Sequence, residues 1–347
     1  MKNVRIGIIG AGSWAVENHI PALKSFPGVE VAGICGLGAA NLRRVQDRFG
    51  IPFSTEDYEE LLHHCQLDGA VISSPHHLHF EHAGAALEAG CHVLCEKPMA
   101  TSAAQAWHLA SLAKERDLHF LIPYGWNYTE FANAAERRVG AGEIGRIEYV
   151  HCHMATALRD LFSGTGASWA KGAFLEPQVE TWSNPAGGGG YAHGQLTHAL
   201  GLLLYITGLE IEKIFALTSA SPTGADLYNA ATCRFKGGAI GVLGGAATQP
   251  EGSVRQLGIS IFGSEGMLLL DIERPRLELR RNDGQNFSMP ITDDDTRYQC
   301  VEPLRTFVAL IRGDMVENRS NATLGARVAE VLDALLRSAH AGREIVI

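Results

Sequence analysis

The sequence predicts an α/β dinucleotide-binding domain followed by an α+β domain that contains a large, mostly antiparallel sheet. The apolar run 4–9 has the composition of a buried strand and leads directly into a glycine-rich turn. Strand and helix patterns then alternate to about residue 125, which is typical of a doubly wound parallel sheet. Because 347 residues exceed one ordinary core, we expect domains at 1–125 and 126–347, with the C-terminal helix able to pack back on the first domain.

The glycine-rich turn has the form GxGxxA, the pattern of a Rossmann dinucleotide site. Gly10 allows the tight turn, Gly12 lets the backbone approach a pyrophosphate, and the small Ala15 lets the following helix pack on the strand. Ser13 and Trp14 complete the turn and open the helix, whose N-terminal N–H groups favour bound phosphate. We therefore expect Gly10 to Ala15 to bind a dinucleotide.

We expect the second strand at 29–35, and its end bears on the choice between NAD and NADP. A site for NAD usually has Asp or Glu there, and this chain has Gly36. With Arg43 and Arg44 a few residues on, the sequence favours NADP over NAD. The alternative is that both arginines lie on the exposed face of the next helix.

Later elements of the first domain follow the same alternation. We expect helices at 58–64 and 78–89, a third that Thr101 or Ser102 caps and that runs to about residue 117, and strands at 69–73, 93–96 and 118–123. The strand that ends in Glu96-Lys97-Pro98 delivers an ionisable pair to the edge where open α/β sheets place their chemistry.

The second half is rich in strand patterns. We expect a helix at 129–139, strands at 146–157, 211–220, 228–235, 239–247, 256–262 and 266–272, and closing helices at 302–312 and 322–341. Such a sheet has a face that must be covered, so we expect a homodimer or homotetramer through it. The run Gly187–Gly190 alone would indicate a mobile loop.

Composition narrows the classes of partner. The net charge of −9 argues against a nucleic-acid surface, and no window is apolar enough for a membrane helix. We see no signal peptide, and seven cysteines without a CxxC pair are typical of a cytoplasmic protein. Histidines and cysteines cluster between residues 76 and 95, but the predicted elements scatter them over several faces, so we expect no metal site.

Several motifs, in this order and spacing, resemble the glucose-fructose oxidoreductase and inositol dehydrogenase (Gfo/Idh/MocA) family over nearly the whole chain. They are the GxGxxA turn, Ser73-Ser74-Pro75 followed by His79, the segment 89–98 that ends in Glu-Lys-Pro, Gly142–Gly145, and a glycine-rich turn before His198. The segment 158–185 matches nothing that we can assign.

The resemblance implies a nicotinamide enzyme that moves a hydride to or from a hydroxyl-bearing carbon. It assigns Lys97 to the reacting hydroxyl and the nicotinamide end of the site, with Glu96 and Pro98 shaping the turn. It also implies that Ser74, Pro75 and His79 line the cofactor channel and that Asn127 reaches the nicotinamide or the substrate. A lysine suits this role because a proton must leave the hydroxyl as the hydride departs.

The family's second catalytic element is an Asp four residues before a His. His198 fits the histidine, but Gly194 stands where the carboxylate is expected. Gln195 shares a helix face with His198 and could orient a substrate hydroxyl, although an amide cannot shuttle a proton. His198 or Lys97 is then the base, and a packed core histidine is the alternative for His198. Trp169, in the unassigned segment, is a candidate substrate contact, and an ordinary surface loop would look similar.

Three functions follow from these observations. The first is an NAD(P)-dependent oxidoreductase of a sugar, sugar acid or cyclitol, with Lys97 and His198 as the catalytic pair. The second, suggested by the missing carboxylate, is a lyase or glycosidase that retains its cofactor. The third is a non-catalytic ligand sensor on the same fold.

Overall fold

A six-stranded parallel sheet forms the centre of the first half of the computed structural model, which describes residues 3–347. Its strand order is β3-β2-β1-β4-β5-β6. The elements up to residue 125 are β1 (Val4–Ile9), α1 (Ile20–Ser25), β2 (Val29–Cys35), α2 (Ala39–Phe49), β3 (Ser54–Thr55), α3 (Tyr58–His64), β4 (Gly69–Ile72), α4 (His79–Glu88), β5 (His92–Cys95), α5 (Ala103–Glu115) and β6 (Phe120–Leu121).

A nine-stranded sheet dominates the second half, in the order β14-β13-β12-β11-β7-β10-β9-β8-β15. Strands β7 and β10 pair in parallel and the other neighbours are antiparallel. The elements are α6 (Glu130–Gly140), β7 (Ile147–Ala155), α7 (Arg159–Phe162), α8 (Val179–Ser183), α9 (Thr197–Thr207), β8 (Ile211–Ala220), β9 (Asp226–Phe235), β10 (Ile240–Ala246), β11 (Gln256–Gly263), β12 (Gly266–Asp271), β13 (Arg276–Arg281), β14 (Phe287–Met289), α10 (Val301–Arg312), α11 (Ala322–Ala341) and β15 (Ile345–Val346).

The predicted fold class is confirmed, and most elements begin and end near the predicted residues. Side-chain caps explain several helix starts: Asp57 accepts from two N–H groups of α3, Ser102 caps α5, and Thr129 caps α6. No sequence pattern indicated the short strands β3, β13, β14 and β15. The π-helical turn Ala15–His19, which leads into α1, was also not predicted.

The chain forms two compact units that are not continuous in sequence. The first contains residues 3–125, 167–178 and 299–326, and the second contains 126–166, 179–298 and 327–347. Helix α10 therefore belongs with the parallel sheet. A Cβ on Gly69 of β4 would lie 2.8 Å from Ile311 Cδ1 and 3.0 Å from Phe307 Cζ, so α10 packs closely on that strand.

Hydropathy gives no sign of a membrane span in the described chain. Within residues 3–347, no helix combines the length and the apolar character that crossing a bilayer requires.

Candidate active site

The glycine-rich turn lies at the carboxyl end of β1 and can be formed only by glycine at its first position. Gly10 has φ of +99°, and a Cβ there would lie 2.2 Å from the Ser74 backbone nitrogen. The Gly10 and Ala11 N–H groups both donate to Cys35 O, which ties the turn to the end of β2. A Cβ on Gly12 would meet nothing within 4 Å, so this backbone is open to an approaching group. The turn therefore fits a dinucleotide pyrophosphate.

The helix after the turn begins as a π-helix, and this changes which side chains share a face. The π-helical turn spans Ala15–His19, immediately after Trp14. Its wider turn brings Trp14 and His19, five positions apart, towards one target. Trp14 Nε1 donates to Glu96 Oε1 at 2.8 Å, and His19 Nε2 lies 2.9 Å from the same oxygen. The glycine-motif helix thus holds the Glu96 carboxylate directly.

Glu96 and Lys97 are buried side chains at the carboxyl end of β5. Each is 8% exposed, and the Lys97–Pro98 peptide bond is cis. Burial would raise the pKa of Glu96, but the hydrogen bond and charge of His19 and the charge of Lys97 outweigh it, so the pKa is lowered. Glu96 consequently stays ionised and keeps a negative charge beside Lys97.

His79 joins the loop after β4 to the loop after β5. Its side chain is 0% exposed, with Nδ1 2.7 Å from Pro98 O and Nε2 2.8 Å from Ser74 O. His82 Nδ1 lies 2.9 Å from Ser74 Oγ. Burial lowers the pKa of His79, while the two carbonyl contacts oppose that shift. His79 thus connects the loop that carries Ser74 and Pro75 to the loop that carries Lys97.

The first unit brings most of the predicted residues to one edge of its sheet. Strands β1, β2, β4 and β5 are parallel, so their carboxyl ends lie on the same side. The predicted residues that follow these strands are Gly10, Gly12, Ser13, Trp14, Ala15, Gly36, Ser74, Pro75, His79, Glu96 and Lys97. Trp169 also belongs to this unit, in the short helical turn Ser168–Ala170, and is 61% exposed.

The second unit contains Asn127, Gln195 and His198. His198 is 8% exposed on α9, and its ring meets Trp126 at 5.9 Å and Tyr298 at 4.9 Å, both edge to face. Gln195 is also 8% exposed, and Asn127 Nδ2 donates to Gly201 O at 3.4 Å. An aromatic pair therefore fixes the orientation of the His198 imidazole.

Aromatic side chains explain why Gly194 stands where the family pattern has a carboxylate. A Cβ on Gly194 would lie 2.7 Å from both Phe162 Cε1 and Phe162 Cζ, and 3.3 Å from Trp182 Cε3. Phe162 is fully buried and packs edge to face on Trp182 at 6.1 Å. Two side chains of the unassigned segment, Phe162 and Trp182, thus fill the space beside residue 194.

A buried carboxylate that the sequence analysis missed holds the helix start before His198. Asp226 Oδ2 accepts from the Ala192 N–H at 2.8 Å and from Asn229 Nδ2 at 2.7 Å. A Cβ on Gly190 would lie 2.0 Å from Asp226 Oδ1, so only glycine fits at this position. Burial raises the pKa of Asp226 although these bonds oppose the shift. The run Gly187–Gly190 is therefore buried and bonded rather than a free loop.

The described side chains form no metal centre. Within residues 3–347, no group of three or more His, Cys, Asp or Glu residues is placed to hold an ion. In the cluster between residues 76 and 95, His79 and His82 make contacts to the loops instead, and the cysteines are buried free thiols.

The fold and the glycine turn together define a dinucleotide-binding protein whose second domain contains a mostly antiparallel sheet. An oxidoreductase family with an NAD-binding Rossmann fold matches residues 4–124, and the GFO/IDH/MocA C-terminal domain matches residues 132–269. The two matches together cover most of the chain, which belongs to the Gfo/Idh/MocA oxidoreductase family. The resemblance drawn from the sequence motifs is confirmed.

Known relatives agree with this assignment. An uncharacterized oxidoreductase of Rhizobium meliloti is 29% identical over 69% of this chain and 66% of the relative. Levoglucosan dehydrogenase of Pseudarthrobacter phenanthrenivorans is 23% identical over 79% of this chain and 75% of that enzyme. A solved levoglucosan dehydrogenase in complex with NADH and L-sorbose covers 99% of each chain with a TM-score of 0.79 and 20% identity, which shows the shared fold.

Proposed function

We propose that this protein is an NAD(P)-dependent oxidoreductase that transfers a hydride between the nicotinamide and a hydroxyl-bearing carbon of a sugar, sugar acid or cyclitol. The observation that carries the proposal is the contact between the glycine-motif helix and the Glu-Lys-Pro turn. Through Trp14 and His19, the helix that would hold the dinucleotide also fixes Glu96, the neighbour of Lys97. The sugar class is supported by the relatives named above.

The chain's residues supply binding and proton transfer. When bound, the nicotinamide accepts or donates the hydride. Gly10 and Gly12 shape the turn that holds the pyrophosphate, and the helix N-terminus at Ser13 faces its charge. Lys97 hydrogen-bonds the substrate hydroxyl and moves its proton as the hydride transfers, while ionised Glu96 sustains a negative charge beside it. Burial of Lys97 keeps water from competing for the same bond.

The other predicted residues are assigned as follows. His198 is proposed as the second catalytic group, since Gly194 leaves no carboxylate to share the work. Gln195 and Trp169 are proposed as substrate contacts, and Asn127 as a contact to the nicotinamide or substrate. Since the named relatives above include a dehydrogenase, neither the cofactor-retaining lyase or glycosidase nor the ligand sensor gains support.

Substitution of Lys97 tests the proposal. Lys97→Ala should lower kcat for a responsive polyol by on the order of 10²–10⁴-fold, the usual contribution of a positioned acid-base group, while NADH binding and thermal stability stay close to wild type. Lys114→Ala, which removes an exposed lysine of α5, is the matched control and should retain wild-type turnover. A wild-type protein that binds neither NAD(H) nor NADP(H) would contradict the whole proposal.

We also propose that the chain forms a homodimer or homotetramer through the open face of the nine-stranded sheet. That face carries exposed apolar side chains: Phe215 (39%), Leu217 (61%), Tyr228 (38%), Ile240 (46%) and Phe262 (37%). The registers of the paired strands place all five positions on the same face of the sheet. Sedimentation of wild type and of Leu217→Asp should give an oligomer and a monomer respectively, and a monomeric wild type at micromolar concentration would reject the idea.

Two further proposals rest on composition. The seven cysteines are free thiols, which supports a cytoplasmic location because reducing compartments preserve them. The net charge of −9 supports a small-molecule partner rather than nucleic acid.

A further inference from the structure

The carboxylate that the end of β2 lacks is supplied by the neighbouring strand. Strands β2 and β3 run parallel, with Cys35 opposite Thr55. The chain continues beyond each strand in the same direction, so Glu56 emerges beside Gly36 and Gly38. Glu56 Oε1 accepts a hydrogen bond from the Gly38 N–H at 2.6 Å, and Thr55 O accepts from the Gly36 N–H at 3.3 Å. A carboxylate is therefore fixed at the strand end where a ribose-binding acid is expected.

Glu56 is available for this role, whereas the next acid is committed elsewhere. Asp57 Oδ1 accepts from the Glu59 and Glu60 N–H groups and caps α3. The Glu56 side chain is exposed, and its bond to Gly38 engages Oε1. The acids also act on the strand end itself: burial, then Asp57 and Glu56, raise the pKa of the Cys35 thiol to about 12.

One of the two arginines that favoured NADP on sequence grounds, Arg44, is engaged away from the end of β2. The Arg44 guanidinium stacks on Phe174 at 4.6 Å, with Nη2 donating to Phe174 O and Nη1 to Asn41 Oδ1. Arg48 stacks on the same ring at 4.4 Å. Arg44 is thus used to hold the segment 167–178 within the first unit. Arg43 lies exposed on α2.

From these contacts we propose that Glu56 makes the protein selective for NAD(H) over NADP(H), a role that rests on the dinucleotide binding proposed above. One carboxylate oxygen is held by Gly38, and the group accepts a hydrogen bond from the adenosine ribose 2′-hydroxyl. A 2′-phosphate in the same place would bring two negative groups together, while the Arg44 guanidinium is already engaged with Phe174. This selectivity replaces the preference for NADP drawn from Gly36, Arg43 and Arg44.

Direct binding measurements on the full chain test the proposal. Dissociation constants for NADH and NADPH are measured by fluorescence titration for wild type, Glu56→Gln and Glu59→Gln. Glu59→Gln is the matched control because it removes one exposed carboxylate three residues further on. Wild type should bind NADH at least ~10-fold more tightly than NADPH, and Glu56→Gln should reduce that ratio by ~10-fold. Glu59→Gln should change the ratio less than ~2-fold.

Salt dependence gives a second readout that needs no variant. Raising ionic strength from 0.05 to 0.5 M screens the repulsion between Glu56 and the 2′-phosphate. The preference of wild type for NADH should therefore become smaller, and part of that change should be a lower dissociation constant for NADPH. Wild type that binds NADPH as well as NADH overturns the role of Glu56 while leaving the oxidoreductase intact. An equal ratio in wild type and in folded Glu56→Gln does the same. A wild type that binds neither nucleotide overturns the proposed function as well.

Discussion

Substitution of Gly194 tests how tightly the helical turn before α9 packs against Phe162. Gly194→Ala would place a Cβ 2.7 Å from two ring carbons of Phe162, whereas carbon atoms in good contact lie about 3.5–4.0 Å apart. The ring is fully buried and must shift by roughly 1 Å. Overpacking of this kind costs about 1–3 kcal/mol, while Gly to Ala in a helix gains up to about 1 kcal/mol.

The expected net effect of Gly194→Ala is a loss of about 1–2 kcal/mol in the free energy of unfolding. Urea denaturation followed by circular dichroism measures it. Gly84→Ala in α4 is the matched control: its nearest new contact would be Leu109 Cδ2 at 3.9 Å, so it should be neutral or stabilising by up to about 1 kcal/mol.

A double-mutant cycle separates the Phe162 contact from general helix effects. In a Phe162→Leu background, Gly194→Ala should cost about 1 kcal/mol less than in wild type, because the smaller side chain can yield. An equal cost in both backgrounds, or a Gly194→Ala protein more stable than wild type, would refute the steric account. The same crowding implies that Gly194→Asp cannot restore the family's carboxylate unless Phe162 moves.

Three further outcomes concern Glu96, Asp226 and His193, the last a 6% exposed side chain in the helical turn Ala192–Leu196. Glu96→Gln should lower kcat about 10-fold, because it removes the negative charge that the structure keeps beside Lys97; an unchanged kcat would contradict the positioning role. Burial lowers the pKa of His193 from 6.5 to about 4 in the folded protein. Between these two pH values the imidazole is protonated in the unfolded chain and neutral in the folded chain. Stability should fall by up to about 1.4 kcal/mol per pH unit between pH 6.5 and 4, and His193→Gln should flatten that slope in urea titrations. Asp226→Ala should cost about 2–4 kcal/mol by stranding the Ala192 N–H, and Asp226→Asn distinctly less; equal losses would show that packing alone matters there.

The architecture could be predicted because its signals are local. The GxGxxA turn needs only adjacent residues, and α11 was predicted at 322–341, where the structure has Ala322–Ala341, because its apolar period is sustained over many turns. Strands as short as β3 and β15 contain too few residues for a pattern to emerge.

The site contacts could not be predicted because they depend on how separate elements meet. Trp14 and His19 converge on Glu96 through a π-helical turn, and an α-helical reading of the same residues puts them on different faces. Glu56 reaches the end of β2 only because β2 and β3 pair in parallel. Gly187–Gly190 was read as mobile because Asp226 is distant in sequence. Asp226, at the start of β9, holds this turn by accepting from the Ala192 N–H.

The discontinuous first unit constrains how the chain can fold during synthesis. The parallel sheet is encoded almost entirely before residue 125, yet the unit also includes residues 167–178 and 299–326. Phe307 and Ile311, which cover β4, emerge from the ribosome only near the end of translation. Until then, the apolar face of β4 that they cover stays exposed in the nascent sheet. A chain truncated at residue 125 should therefore be prone to aggregate rather than fold as an independent nucleotide-binding module.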